Sequence, residues 1–157
     1  ARRESTTSTT MLTRVEIDGF KSFERFELAL PPFAVILGPN AAGKSNLFDA
    51  LRLLSQLAVT DVRSAMRELR GEPRELFRHV PGSGPVARIK IAVETLLPPK
   101  VRDAYGQEIK LLCTRIRYEV FVERREVSGI ERFFIAEERA QPIKKRDDRW
   151  TPAGRPP

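Results

Sequence analysis

The stretch FAVILGPNAAGKSNLFDALRLL, residues 33–54, decides how this chain is read. Phe33–Leu37 has no polar position, which suits a strand covered on both faces, so the central strand of a sheet is expected there. Gly38, four further residues, and then Gly43, Lys44 and Ser45 make the phosphate-loop pattern. Behind it Leu47, Ala50, Leu51, Leu54, Leu57 and Ala58 recur on one helical face. Strand, loop and helix thus follow one another in the order that phosphate binding requires.

The chemistry follows from charge. Water solvates a triphosphate well, so a protein must replace that hydration with fixed donors. The backbone N–H groups of Asn40, Ala41, Ala42, Gly43, Lys44 and Ser45 can supply them at the positive end of the helix that begins here. Gly43 lets backbone and phosphate approach without a side chain between them. Lys44 is expected to reach the β- and γ-phosphates, and the Ser45 hydroxyl to ligate Mg2+.

Working outward, Val15 and Ile17 alternate with Arg14, Glu16 and Asp18, and Phe26, Leu28 and Leu30 alternate with Glu27 and Ala29. Both stretches read as half-buried strands, and Pro31 with Pro32 ends the second. A second helix is expected over about residues 61–70, followed by the loop VPGSGP. Residues 87–94, 114–123 and 130–137 have strand character, and Gly129 allows the last two to form an antiparallel hairpin. The expected fold class is α/β, a P-loop NTPase lobe with a mixed sheet, an antiparallel strand layer and a P-loop helix. Residues 1–10 are expected to be a flexible leader, 11–140 the lobe, and 141–157, rich in Pro and charge, a disordered tail.

Composition narrows the class further. The chain has 157 residues, 41% of them hydrophobic, enough for one ordinary core. A single cysteine, Cys113, excludes an intrachain disulfide, and no apolar run is long enough for a membrane helix. With no signal-peptide pattern, a cytoplasmic address is expected. The net charge of +7 lies mostly beyond residue 60, a field that favours polyanions. Arg63, Arg67, Arg70 and Arg74 recur at helical spacing, but Glu68, Glu72 and Glu75 are interspersed, which favours a salt-bridged surface.

The segment RVEIDGFKSFERFELALPPFAVILGPNAAGKSNLFDALRLL resembles the N-terminal lobe of the ATPase head in structural maintenance of chromosomes (SMC) proteins, RecF-like proteins and overcoming-lysogenisation-defect ATPases. The parts that carry the resemblance are Gly19-Phe20-Lys21-Ser22-Phe23, Gly38-Pro39-Asn40, and Asn46 directly after Gly43-Lys44-Ser45. It implies an ABC-type ATPase lobe that binds ATP with Mg2+, with Lys21 and Ser22 near the phosphates. It further implies that the C-terminal half of the head is a partner, that two heads sandwich ATP, and that hydrolysis drives a conformational switch, with DNA as a further candidate partner.

The rest of the hydrolysis machinery, an apolar strand ending in acidic residues and a signature segment, is not evident in the sequence. FFIAEE, residues 133–138, reads as an edge strand, and Val127-Ser128-Gly129 as a turn. Two other function classes share the loop: a small P-loop kinase, and a nucleic-acid-binding module with a non-functional loop. His79 and Cys113 carry no pattern, and Trp150 reads as an anchor in the tail.

Overall fold

A computed structural model describes residues 10–40 and 42–150. Alternation along the first patterned stretch gives β1 (Met11–Asp18), with Thr13, Val15 and Ile17 buried and the residues between them facing the other way. A tight turn over Gly19–Phe23 leads to β2 (Phe26–Ala29), antiparallel to β1. Gly19 has φ +72°, and a Cβ there would lie 2.3 Å from the Arg88 carbonyl oxygen, so only glycine fits.

After the loop come α1 (Lys44–Leu57) and α2 (Val62–Arg67), the latter capped by the Asp61 carboxylate, which accepts from the N–H groups of Arg63 and Ser64. A single 3-10 turn, Pro73–Leu76, follows. Short β3 (His79–Val80) and β4 (Gly84–Pro85) pair with each other and lead to β5 (Arg88–Leu96). A small excursion, β6 (Lys100–Arg102) with β7 (Glu108–Lys110), precedes the long hairpin of β8 (Arg115–Val127) and β9 (Ile130–Pro142). The main sheet has the order β2-β1-β5-β8-β9, and every strand pairing among the described residues is antiparallel.

The α/β class and the antiparallel layer beside a P-loop helix are therefore present. As expected, β9 is an edge strand, and Ser128 and Gly129 make the hairpin turn with φ of 53° and 73°. The core lies between one sheet face and the helices, where Val15, Ile17, Ile91 and Val120 meet Leu47, Leu53, Met66 and Leu76. Phe20 and Phe77, joined by a backbone bridge, are fully or almost fully buried at its end. Burying each such ring contributes about 1.5–3 kcal/mol. No helix among the described residues is long and apolar enough to cross a membrane.

Two expectations are corrected. Phe33–Leu37 is not a central strand: it belongs to no sheet, and Phe33 and Leu37 are 82% and 86% exposed. Pro31 and Pro32 break the ladder after β2, and among the described residues the segment pairs with no strand and lacks the cover on both faces that a central strand needs. The second correction concerns residues 141–150, expected to be disordered. β9 continues to Pro142, and Arg115 then holds the chain through its carbonyl to the Ile143 N–H and its guanidinium to Asp148. Residues 1–9 and 151–157 of the expected leader and tail lie outside the described residues.

The second sheet face is charged rather than apolar. Glu16 accepts from Arg117 at 2.6 and 2.8 Å and from Lys90 at 3.2 Å, and Arg117 also reaches Glu119 and Glu94. Hydrogen bonding from Arg117 is the largest influence on Glu16 and, despite burial, lowers its carboxyl from the ordinary 4.5 to about 2. A depressed carboxyl contributes stability that is complete above its unfolded value and is lost as pH falls through the folded one. The melting temperature should accordingly decline between pH 4.5 and about 2, and Glu16→Gln should flatten that decline. Thermal unfolding followed by circular dichroism checks this, and equal slopes for both proteins would refute it. Gly19→Ala should destabilise the fold by more than about 1 kcal/mol in urea titration, from left-handed strain plus the carbonyl contact.

Candidate nucleotide-binding site

The loop sits where the sequence pattern places it, at the start of α1. Gly43 is the N-cap residue with φ 88° and ψ 0°, a left-handed conformation that costs glycine little. No side chain caps the helix, and no acidic residue stands in its first turn. The first intrahelical bond runs from the Leu47 N–H to the Gly43 carbonyl, so the N–H groups of Lys44, Ser45 and Asn46 precede it and have no acceptor within the helix. These donors, with the positive end of the helix dipole, form a place for an anion.

Lys44 folds back over the loop, its Nζ donating to the carbonyl oxygens of Gly38 at 2.5 Å and Pro39 at 2.6 Å. Ala42 N–H donates to the Pro39 carbonyl as well, which closes the bend. The ammonium thus holds the two ends of the loop together and is positioned to exchange those carbonyls for phosphate oxygens. Ser45 is exposed in the first turn of α1, and Asn40 is exposed in the loop. Ala41 lies outside the described residues.

Behind the loop, the Gly19–Phe23 turn is fastened to α1 by two polar contacts. Asn46 Nδ2 donates to Ser22 Oγ at 2.9 Å, and Lys21 Nζ donates to Asp49 Oδ2 at 2.7 Å. Arg70 Nη2 reaches the same Asp49 oxygen at 2.8 Å, while Lys21 also donates to the Arg70 carbonyl. Burial alone would raise the Asp49 carboxyl, but hydrogen bonds from Lys21 and Arg70 outweigh it and hold the group below its ordinary value. Lys21 therefore spends its charge on a nearly buried carboxylate rather than pointing it into the loop. Phe23 packs close under Gly43, and an apolar groove of about 330 Å³ opens beside it, between Phe26, Leu28 and the Val35–Leu37 segment.

The donor set fits a nucleotide with Mg2+. No cluster of three or more His, Cys, Asp or Glu that could hold a metal occurs among the described residues. A cation at this loop would therefore need phosphate oxygens beside the Ser45 hydroxyl, which is how Mg2+ is commonly held in phosphate sites. Asp49 is already committed to two cations.

Sequence reading missed Asp49 and its partners. The signal was present: Asp49 stands beside Leu47 and Ala50 and in line with Asn46 and Leu53, and a carboxylate on a buried face demands a cation. The arginine series also behaves otherwise than expected. Asp61 caps α2, Glu72 and Glu75 form a capping box, and Glu68 pairs with Arg52. Those acids are thus occupied, and among the described residues Arg63, Arg67 and Arg74 are exposed without an ion pair. Trp150 is the expected anchor, its indole N–H donating to the Leu30 carbonyl at 3.0 Å.

Known proteins share parts of this chain. The chromosome partition protein Smc of Methanocaldococcus jannaschii is 46% identical over 41 residues, covering 26% of this chain and 4% of that protein. Structural maintenance of chromosomes protein 1 of Schizosaccharomyces pombe is 40% identical over 55 residues, 34% of this chain and 4% of that protein. The uncharacterized protein YbjD of Escherichia coli is 52% identical over 44 residues, 28% of this chain and 8% of that protein. The matched stretches are thus under a tenth of the length of these relatives. A solved chain from “Structural biochemistry of ATP-driven dimerization and DNA stimulated activation of SMC ATPases” superposes with a TM-score of 0.47 at 19% identity, covering 80% of this chain and 69% of that one. The resemblance to SMC-like P-loop ATPases drawn from the sequence is borne out by the two SMC sequence relatives together with a family match. The family described as “AAA domain, putative AbiEii toxin, Type IV TA system” matches residues 33–156, well over half of the chain, and the chain belongs to it.

Proposed function

We propose that this chain binds ATP with Mg2+ at Gly38–Ser45 and is the N-terminal lobe of a larger ATPase. The observation that carries this reading is the left-handed Gly43 at the head of an uncapped α1, with the Lys44 ammonium drawn across the same opening. Backbone donors of Asn40, Ala41, Ala42, Gly43, Lys44, Ser45 and Asn46 would hold the phosphates, with Gly38 and Pro39 shaping the bend. The Ser45 hydroxyl would serve as the protein ligand of Mg2+, and bound Mg2+ supplies neutralisation of the phosphate charge. Ser22 and Lys21 act as positioning residues, one through Asn46 and the other through Asp49.

In the complete protein the C-terminal half of the head covers Phe33–Leu37, a reading supported by the exposure of that uncharged segment. Two heads then sandwich ATP, and hydrolysis switches their contact. On its own this chain holds nucleotide without turning it over. DNA is the further partner, and the unpaired charges of Arg63, Arg67 and Arg74 support it, since phosphate backbones bind cations that no carboxylate has already neutralised.

Isothermal titration with Mg-ATP should show saturable heat for the wild-type chain and at least tenfold weaker binding for Lys44→Ala, about 1.4 kcal/mol. Equal heats from both proteins would sink the assignment, and steady phosphate release abolished by Ser45→Ala would contradict the absence of turnover. Lys21→Met separates positioning from direct contact. It strands a nearly buried carboxylate with one remaining cation, so stability in urea should fall by about 1–3 kcal/mol. Affinity at a temperature where the variant is folded should stay within about threefold, since Lys21 makes no direct phosphate contact in this reading. A loss as large as that of Lys44→Ala would instead place Lys21 on the phosphates.

A further inference from the structure

The segment between β2 and the loop is tied down only at its ends. Among the described residues, no backbone group of residues 31–37 has a backbone hydrogen-bond partner. At one end Leu30 is held twice: its N–H donates to the Thr13 carbonyl at 2.9 Å, and its carbonyl accepts from the Trp150 indole at 3.0 Å. At the other end Lys44 holds the carbonyls of Gly38 and Pro39.

The Leu30 end is built from residues far apart in sequence. Arg115 makes a two-pronged contact with Asp148, Nε and Nη2 each at 2.8 Å, and donates through Nη1 to Thr13 Oγ1 at 2.7 Å. The Asp148 carboxylate also accepts from the Trp150 N–H at 3.1 Å, and the Arg115 guanidinium stacks over the indole with 5.4 Å to the ring centroid. Arg115 is thus the centre of a clasp that closes residues 143–150 over the end of the sheet and presents the indole N–H to Leu30.

We propose that residues 143–150 are a strap that positions the approach to the phosphate loop, so that attachment of Trp150 and occupation of the loop are coupled. The inference rests on the nucleotide reading above. The Lys44 ammonium has three protons, two of them given to the Gly38 and Pro39 carbonyls. Reaching both β- and γ-phosphate oxygens must therefore free at least one carbonyl, which loosens the loop end of residues 31–37 and leaves Leu30 as the firmer tie. The strap limits how far the freed segment wanders and thereby preorganises the occupied state. By reciprocity, occupation of the loop must alter the strap by the same free energy with which the strap alters binding.

Trp150 is the sole tryptophan, so its emission reports the strap directly. Mg-ATP added to the wild-type chain should change that emission saturably, with the midpoint found by calorimetry, and Lys44→Ala should abolish the change. Trp150→Phe retains a ring for Arg115 but removes the indole N–H, and should weaken Mg-ATP binding about fivefold, the scale of one lost hydrogen bond. Asp148→Asn, which keeps the tryptophan, should shift resting emission to the red and weaken binding in the same sense; it also serves if Trp150→Phe does not fold. A strap with only a structural role would lower the melting temperature and leave both nucleotide readouts unmoved. Calorimetric heat without an emission change, or unaltered affinity in a folded strap variant, overturns the coupling alone. Absence of heat in the wild-type chain overturns the nucleotide reading and the coupling together, while resting emission of Asp148→Asn against wild type still reports whether the strap is attached.

Discussion

Asp49 lies on the face of α1 that enters the core, where an unpaired carboxylate would be costly. Lys21 and Arg70 meet it there, one from the turn after β1 and the other from the chain beyond α2. This contact ties two separate stretches of sequence to one helix, and the phosphate loop runs into the first turn of that helix. Asn46 adds a second fastening to the same turn through Ser22. Phe20, Phe23 and Phe77 fill the space beneath, so the polar contacts set orientation while the aromatic rings supply the apolar burial. The loop can remain open to solvent because everything immediately behind it is fixed.

Much of this was legible from residue order. Val15 and Ile17 announced β1 because a two-residue period leaves one face for the core, and Gly43-Lys44-Ser45 announced the head of α1 because few other patterns place glycine, lysine and a hydroxyl at that spacing. Phe33–Leu37 misled for a physical reason: apolar continuity reports a demand for cover, and the described residues do not meet that demand. The tail misled in the opposite way. Its prolines and charges have no periodicity, yet Asp148 and Trp150 dock because Arg115, distant in sequence, offers a charge and a flat surface at one point. Pairings of that kind, like Asp49 with Arg70, depend on distance in space; local spacing can show a buried charge such as Asp49 but not which cation meets it.

Charge shows the same division between composition and placement. The basic excess suggested a polyanion surface or a neutralised one, and among the described residues paired and unpaired cations occupy different places. On the outer sheet face, Arg117, Lys90, Glu16 and Glu119 neutralise one another across β1, β5 and β8. Around α2, Asp61, Glu72 and Glu75 accept from backbone groups, and among the described residues Arg63, Arg67 and Arg74 stand exposed without an ion pair. Sequence proximity of opposite charges therefore says little until the capping role of each carboxylate is known.

Phe33–Leu37 is uncharged, rich in strand-forming side chains and open to solvent, the combination that favours stacking between identical chains. Pro31 and Pro32 stand immediately before it and Pro39 two residues after it. Prolines lack the N–H that a growing fibril ladder needs, so these three act as gatekeepers that confine any intermolecular zipper to a single short window.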